Sequence, residues 1–171
     1  EGDTAFINEN SEQPGTFLVQ RGDGQIRMQW FYEAEDEKRT FTVSYKLVGA
    51  IVIGTEWSEF FWNYLSADRE KATGLLNISL QLPQQIDTDS LHVWKRGPQD
   101  KINISRNPRG YLVEANNIDD NESVKIRSIF PRNVFDSARI STTDPDFNLQ
   151  AAQDDEEVYR REKQAAEERE R

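Results

Sequence analysis

The sequence predicts a mainly β protein, an antiparallel immunoglobulin-like β-sandwich followed by a charged C-terminal α-helix. Three observations support this fold class. Apolar residues alternate with polar ones through most of the 171 residues, Gly, Pro and Asn separate the apolar runs, and after Phe147 the composition changes to a run rich in Glu, Arg, Gln and Ala. Short alternating runs with frequent turns are typical of a sandwich, and the last run favours a helix.

The predicted strands follow from a hydrophobic period of two. Side chains of an extended strand point alternately to opposite faces, so alternation gives the strand one apolar face. The clearest alternating runs are residues 26–30, 41–47 and 76–82, and Pro83 ends the third because it has no N–H to donate to a sheet. Shorter runs predict further strands at residues 91–94, 101–105, 111–115 and 123–130.

The C-terminal run carries the signals of a helix start. Asp154 is the predicted N-cap with Glu157 three residues later, and Glu156/Arg160 and Glu157/Arg161 have the favourable i,i+4 order. The apolar surface of this helix is small, so two interpretations stay open: the helix docks on the sandwich, or it is a spacer.

We therefore divide the chain into a sandwich at residues 1–140, a linker at 141–153 and a charged helix at 154–171 that leads toward a membrane anchor.

The charge balance bears on the partners. Lys and Arg number 21 against 31 Asp and Glu, a formal net charge of −10 that repels phosphate backbones, so we expect no nucleic-acid partner. The chain has no cysteine, which excludes disulfides and thiolate metal sites. No apolar stretch approaches the 18 or so residues of a membrane span.

Several short motifs resemble recognition signals but are explained by local structure or by chance. Arg21-Gly22-Asp23 looks like an integrin-recognition tripeptide, but Asp23-Gly24 between two apolar runs predicts a hairpin turn. Three Asn-x-Ser sequons begin at Asn77, Asn103 and Asn121; two lie in predicted strands, and the pattern is permissive.

Metal and catalytic signals are weak. The acidic loop of residues 119–122 lacks the EF-hand ligand spacing, so we predict a solvated turn rather than a calcium site, and neither a metal nor a cofactor is expected. The single histidine, His92, alternates with apolar neighbours, and no Gly-x-Ser-x-Gly motif accompanies it. We expect no catalytic residues and no enzymatic activity.

An aromatic group is the one place where a binding function is indicated. Five aromatic residues lie within eight positions: Trp57, Phe60, Phe61, Trp62 and Tyr64. Such side chains fill a sandwich core, or they form a platform for a sugar or a protein. On the second interpretation the candidate ligand-binding residues are Trp57, Phe61 and, in a nearby turn sequence, Arg109.

Ordered sequence landmarks support a family resemblance over roughly residues 15 to 140. They are Phe41-Thr-Val-Ser-Tyr45, Glu59-Phe-Phe-Trp62, Leu80-Gln-Leu-Pro83 and Ile129-Phe-Pro131. In this order they resemble the extracytoplasmic region of YciQ-type predicted bacterial membrane proteins, a domain-of-unknown-function family. The resemblance implies a membrane-anchored protein with an outward-facing β domain, and it brings no catalytic motif. It leaves open whether the sandwich is complete at its N-terminal end.

The expected function is accordingly an extracytoplasmic, non-enzymatic interaction or sensing domain that binds an envelope component or a protein. One alternative is a cell-wall glycan hydrolase using a carboxylate pair, with Glu56, Glu59 and Asp68 as candidate acids because they flank the aromatic group. The other is a structural spacer in the envelope.

Overall fold

The computed structural model describes residues 6–9, 11–22, 25–135 and 142–169. It is mainly β, with stacked sheets and one long helix at its C-terminal end, as the sequence predicts. The elements are, in chain order, Ile7–Asn8 (β1), Thr16–Gly22 (β2), Gln25–Trp30 (β3), Ile51–Ile53 (β4), Trp57–Leu65 (β5), Thr73–Gln81 (β6), His92–Arg96 (β7), Ile102–Asn107 (β8), Gly110–Ile118 (β9), Val124–Pro131 (β10), Thr142–Thr143 (β11) and the helix Leu149–Arg169 (α1).

The chain forms two compact units, residues 1–45 and 46–171. In the first unit, β1, β2 and β3 form a three-stranded sheet in that order, with β1 parallel to β2 and β3 antiparallel to it. The β2–β3 pairing runs to Gly22 opposite Gln25. The predicted turn residues Asp23 and Gly24 lie outside the described residues.

The second unit contains two stacked sheets. One has five strands in the order β11-β4-β5-β10-β7, and the other has three antiparallel strands in the order β6-β9-β8. Apolar side chains on the facing sides of these sheets form a continuous core, because each strand turns every second residue inward. Its fully buried members include Leu91, Ile102, Tyr111, Ala115, Ile118, Val124 and Ile126.

The hairpin between β8 and β9 requires a glycine. Gly110 has φ of +138°, and a Cβ placed there would collide with the carbonyl oxygen of Leu80 on β6. The backbones of β6 and β9 therefore approach each other more closely than a side chain at this position would allow.

One predicted strand is wrong. Residues 41–47 alternate as well as any other run, yet they form no strand, and Phe41, Val43, Tyr45 and Leu47 are exposed. Alternation specifies two faces but supplies no neighbour, and a strand needs a partner to pair its N–H and C=O groups.

The helix begins earlier than predicted. It starts at Leu149, and the Asn148 side-chain oxygen accepts a hydrogen bond of 2.8 Å from the N–H of Ala151, which makes Asn148 the cap. The prediction that Asp154 caps the helix is wrong, because Asp154 lies inside it and accepts a hydrogen bond from Gln150.

Candidate functional site

The outer face of the five-stranded sheet is defined by its strand register. Phe61 on β5 lies opposite Arg127 on β10, and Arg127 lies opposite Trp94 on β7. Cross-strand partners share a face, so these three side chains lie on one side of the sheet, with Glu59 two residues before Phe61 on the same side. The opposite side of the sheet faces the core. Helix α1 lies against the outer face.

Five charged side chains attach α1 to this face, and we call them the arginine cluster: Glu59, Arg96, Arg127, Asp155 and Glu156. Arg127 donates to Glu59 at 2.5 Å, to Asp155 at 2.5 Å and to Glu156 at 3.1 Å. Arg96 donates to Asp155 at 2.6 Å and to Glu156 at 2.8 Å. Two guanidinium groups from neighbouring strands therefore share two consecutive carboxylates of the helix.

The cluster is largely removed from water. The side chains of Glu156 and Arg127 are 3% and 10% exposed, whereas that of Asp155 is 54% exposed. Burial by itself acts to lower the pKa of both arginines, but their hydrogen bonds and attraction to the carboxylates outweigh it and raise the pKa of each. For Asp155, desolvation acts to raise the pKa, and hydrogen bonds from Arg127 and Arg96 outweigh it, so the pKa is lowered.

Two aromatic rings complete the contact between helix and sheet. The guanidinium of Arg96 lies 5.1 Å from the ring centre of Phe61 and 4.6 Å from that of Tyr159 on α1. Both distances are within the range of cation–π attraction. One turn further along the helix, the ammonium of Lys163 donates a hydrogen bond to the carbonyl oxygen of Gly97. The helix is therefore docked along about two turns, from Asp155 to Lys163, rather than at one point.

A cleft opens beside the docked helix, and we call it the helix cleft. It has a volume of about 580 Å³, with walls from β7, β8 and α1. Trp94, Lys95, Ile104, Tyr159, Arg160 and Lys163 line it. Two aromatic rings and three cationic side chains therefore face a cavity in the size range of small-molecule sites.

An aromatic row continues the outer face away from the cleft. The ring of His92 stacks on Trp94 at 5.9 Å and meets Trp57 edge-on at 5.4 Å. Partial burial, and then the nearby Arg106 charge, lower the pKa of His92, which favours the neutral ring. All three side chains are half-buried.

The aromatic group predicted from sequence is divided between the two faces. Phe60 and Tyr64 pack against the core, as one of the two interpretations expects. Trp57 and Phe61 lie on the outer face, and Phe61 supports both arginines, with Arg127 at 5.4 Å from its ring centre.

The other predicted residues are not brought together. Arg109 is exposed in the β8–β9 hairpin of the other sheet, where its carbonyl accepts from the N–H of Leu82. Glu56 and Asp68 are exposed in turns at the two ends of β5, and Asp68 accepts a hydrogen bond from Ser66. Of the candidate acids, Glu59 alone belongs to the arginine cluster.

The acidic loop of residues 119–122 is paired with a cationic side chain from elsewhere in the chain, Lys101. The ammonium of Lys101 contacts Asp119 at 2.8 Å and Glu122 at 2.7 Å, and Arg69 donates to the backbone carbonyls of both residues. These hydrogen bonds raise the pKa of Lys101. Within residues 6–9, 11–22, 25–135 and 142–169, no group of three or more potential metal ligands is found.

One feature of the sequence indicates the arginine cluster. Arg127 interrupts a run in which Val124, Ile126, Ile129 and Phe130 are all buried, and Arg127 itself is buried as well. Arginine is seldom buried unless it is paired. A charged residue inside an apolar strand therefore predicts a buried partner, although it does not say which carboxylate.

Comparison with known proteins identifies a family. The family model described as "Predicted membrane protein (DUF2207) N-terminal domain" matches residues 5–130. No curated protein and no solved structure matches the chain. In the part of the chain that the structure describes, no helix is both long and apolar enough to cross a membrane. Because the matched residues make up most of the chain, the protein belongs to the DUF2207 family of predicted membrane proteins and contains that family's N-terminal domain.

Proposed function

We propose that the chain is a non-enzymatic interaction or sensing domain on the extracytoplasmic side of a bacterial membrane protein, and that the helix cleft is its binding site. The observation that carries this proposal is the position of α1. The helix follows the family domain in sequence, forms one wall of the cleft, and is attached to the sheet by the arginine cluster. A ligand in the cleft contacts both the sheet and the helix.

The arrangement favours sensing because the attachment is mostly ionic. Among the described residues of the helix, two are buried, Ala152 and Glu156, and one of these is charged. The helix therefore has little apolar surface of its own. A ligand that binds only the docked arrangement shifts the equilibrium toward docking by its difference in affinity for the docked and undocked states. The occupancy of the cleft can then be transmitted along the chain toward a membrane anchor.

The state of the nearby carboxylates supports binding rather than acid–base chemistry. Glu59, Asp155 and Glu156 all accept hydrogen bonds from Arg96 or Arg127. General acid catalysis needs a carboxyl group that keeps a proton near neutral pH, and the pKa of Asp155 is lowered instead. A glycan hydrolase based on this group of carboxylates is the less favoured proposal.

The side of the membrane is tested by labelling. The chain has no cysteine, so Asp100→Cys in an exposed turn gives the domain a single thiol. In intact cells that produce the full-length protein without other cysteines, we expect a membrane-impermeant maleimide to label this variant. Labelling only after the membrane is permeabilised would contradict the proposed location.

The binding site is tested by photo-crosslinking in the full-length protein. A photo-reactive amino acid replaces Arg160, which lines the helix cleft, or Arg161, the next residue, which pairs with Glu157 and lies outside the lining. Both positions are exposed on the same helix. We expect a discrete adduct from position 160 and not from position 161. Equal labelling of both positions, or none at either, would remove the cleft from the proposal.

A further inference from the structure

The outer face of the β6-β9-β8 sheet carries a repeated polar pattern. Strand β9 lies between β6 and β8, and Asn77 and Asn103 both pair with Glu114. One step along, Ser79 and Ser105 both pair with Leu112. Two sequons from separate strands are thus held in the same register on either side of one strand. The result is two parallel rows, Asn-Glu-Asn and Ser-Leu-Ser, which we call the amide face.

The amide face is open and slightly concave. A depression of about 500 Å³ is lined by all six of its side chains. Leu112 is 53% exposed at the centre. The side chains of Asn77, Ser79, Asn103 and Ser105 have no hydrogen-bond partner among the described residues, and Glu114 accepts one bond, from Asn116 at 3.1 Å. The hydrogen-bonding capacity of the face is therefore available to a ligand.

The amide face has fewer charged residues than the chain as a whole. Charged residues make up 30% of the chain, and its net charge is −10, yet the amide face contains one formal charge among six residues. A single carboxylate supplies little of the negative charge that Ca²⁺ sites draw from several Asp and Glu side chains. The lack of cationic side chains gives no attraction to phosphates or anionic polymers. The suitable ligand is neutral.

The donor and acceptor inventory narrows the ligand class. A carboxamide offers two donors and one acceptor oxygen, and a serine hydroxyl both donates and accepts. A sugar hydroxyl also donates and accepts. Neighbouring hydroxyls of a sugar ring can therefore form hydrogen bonds with the side-chain amides of Asn77 and Asn103, which lie on either side of Glu114. The exposed Leu112 side chain suits the C–H surface of the ring. We propose that the amide face binds a neutral glycan.

The spacing of the rows indicates how such a chain lies. Neighbouring strands are about 4.8 Å apart, and side chains two residues apart on one strand are separated by roughly 6.7 Å. A bound glycan therefore spans the three strands and contacts both rows, rather than inserting a single sugar into a pocket. Strand β8 and Asn103 also border the helix cleft, whereas Asn77, Ser79, Leu112 and Glu114 do not. The inference rests on these polar rows and does not depend on the function proposed for the cleft.

The test uses the whole chain and two neutral oligosaccharides, chitohexaose and cellohexaose, in a calorimetric or NMR titration. We expect saturable binding of at least one of them, unchanged between 50 and 500 mM salt because the ligand is uncharged. The double variant Asn77→Ala/Asn103→Ala should weaken binding at least tenfold. Asn121→Ala removes the asparagine of the third sequon, which is exposed in a loop outside the face, and should leave the affinity unchanged.

Sedimentation with insoluble cell-wall glycan separates two sources of the same chemistry. Binding to both the soluble and the insoluble material indicates a wall glycan, and binding to the oligosaccharide alone indicates a free sugar; either result supports the proposal. Failure of the native chain to bind any of these ligands would overturn it, as would equal affinities of the native chain and the double variant. Because the substituted asparagines are exposed, a thermal midpoint close to that of the native chain verifies that the double variant is folded.

Discussion

At the scale of single residues, Arg127 is the group on which the docking of α1 depends. It contacts carboxylates from two elements, Glu59 on the sheet and Asp155 and Glu156 on the helix. A buried ion pair adds little net stability because desolvation offsets the attraction, but removing one partner leaves an uncompensated buried charge. The cluster is therefore more important for where the helix lies than for overall stability.

The first prediction concerns this arginine. Arg127→Gln should destabilise the chain by about 3–5 kcal/mol, because Glu59 and Glu156 lose a buried cationic partner. The measurement is the free energy of unfolding in urea. Arg161→Gln is the matched control, since the Arg161–Glu157 pair is exposed at both ends and should be worth under about 0.5 kcal/mol. Similar losses in the two variants would contradict the assigned role of Arg127.

The second prediction concerns acid stability. The lowered pKa of Asp155 means that its contribution is present at pH values above its unfolded pKa and is lost as the pH falls through its folded pKa. Asp155→Asn should therefore reduce stability at neutral pH and make the decline below about pH 4 shallower. Because Asp155 is half exposed, solvent screening limits the size of the effect.

The measurement for Asp155 is the urea midpoint between pH 2.5 and 7. Asp154→Asn is the neighbouring control; Asp154 accepts a hydrogen bond from Gln150 on the same helix and contacts neither arginine, so its replacement should lower the midpoint at pH 7 less than Asp155→Asn does. Parallel pH curves for the native chain and Asp155→Asn would contradict the prediction.

At the scale of elements, the β6-β9-β8 sheet depends on the close approach of β6 and β9. Gly110→Ala should be destabilising by about 1–3 kcal/mol, because the new Cβ meets the carbonyl of Leu80 and the φ of +138° is strained for a residue with a side chain. Gly74→Ala, also in this sheet, adds a Cβ with no atom within 4 Å and should be neutral or slightly stabilising. Thermal midpoints of the two variants test this, and equal midpoints would show that the β8–β9 hairpin adjusts without cost.

The strands and the helix show what could and could not be predicted from the sequence. Alternation placed residues 111–115 within β9 and residues 76–82 on β6, one residue past its end at Gln81. It succeeds there because a buried face on each strand fixes which residues point inward. It failed at residues 41–47, where alternation was present but no neighbouring strand was. The helix was recognised from composition, but its start was misplaced, because Asn148 and Asp154 are both good capping residues and sequence does not rank them.

The candidate site was less predictable than the fold. Trp57 and Phe61 were singled out as aromatic residues, and both lie on the outer face. What brings that face into contact with α1 is a set of charges separated by up to about a hundred positions in the sequence, from Glu59 to Glu156. Charge pairing over such a distance leaves no periodic signal, so Arg96 and Arg127 were not identified.

At the scale of the whole molecule, the net charge of −10 governs contact with polyanions. We expect no binding of the chain to double-stranded DNA or to anionic lipid vesicles at 50 mM salt, because no condensed counterions are released by a protein of the same sign. A gel-shift assay and vesicle sedimentation measure this, with a basic DNA-binding protein as the positive control. Retention that disappears as salt is raised would reveal a local basic surface and contradict the expectation.

The loop around Asp119 also affects the molecule as a whole. Many protein loops with clustered carboxylates are shaped by an ion taken from the medium, so their form follows the supply of that ion. Here Lys101, which the chain itself provides, holds Asp119 and Glu122. The turn therefore takes its shape from contacts within the chain itself.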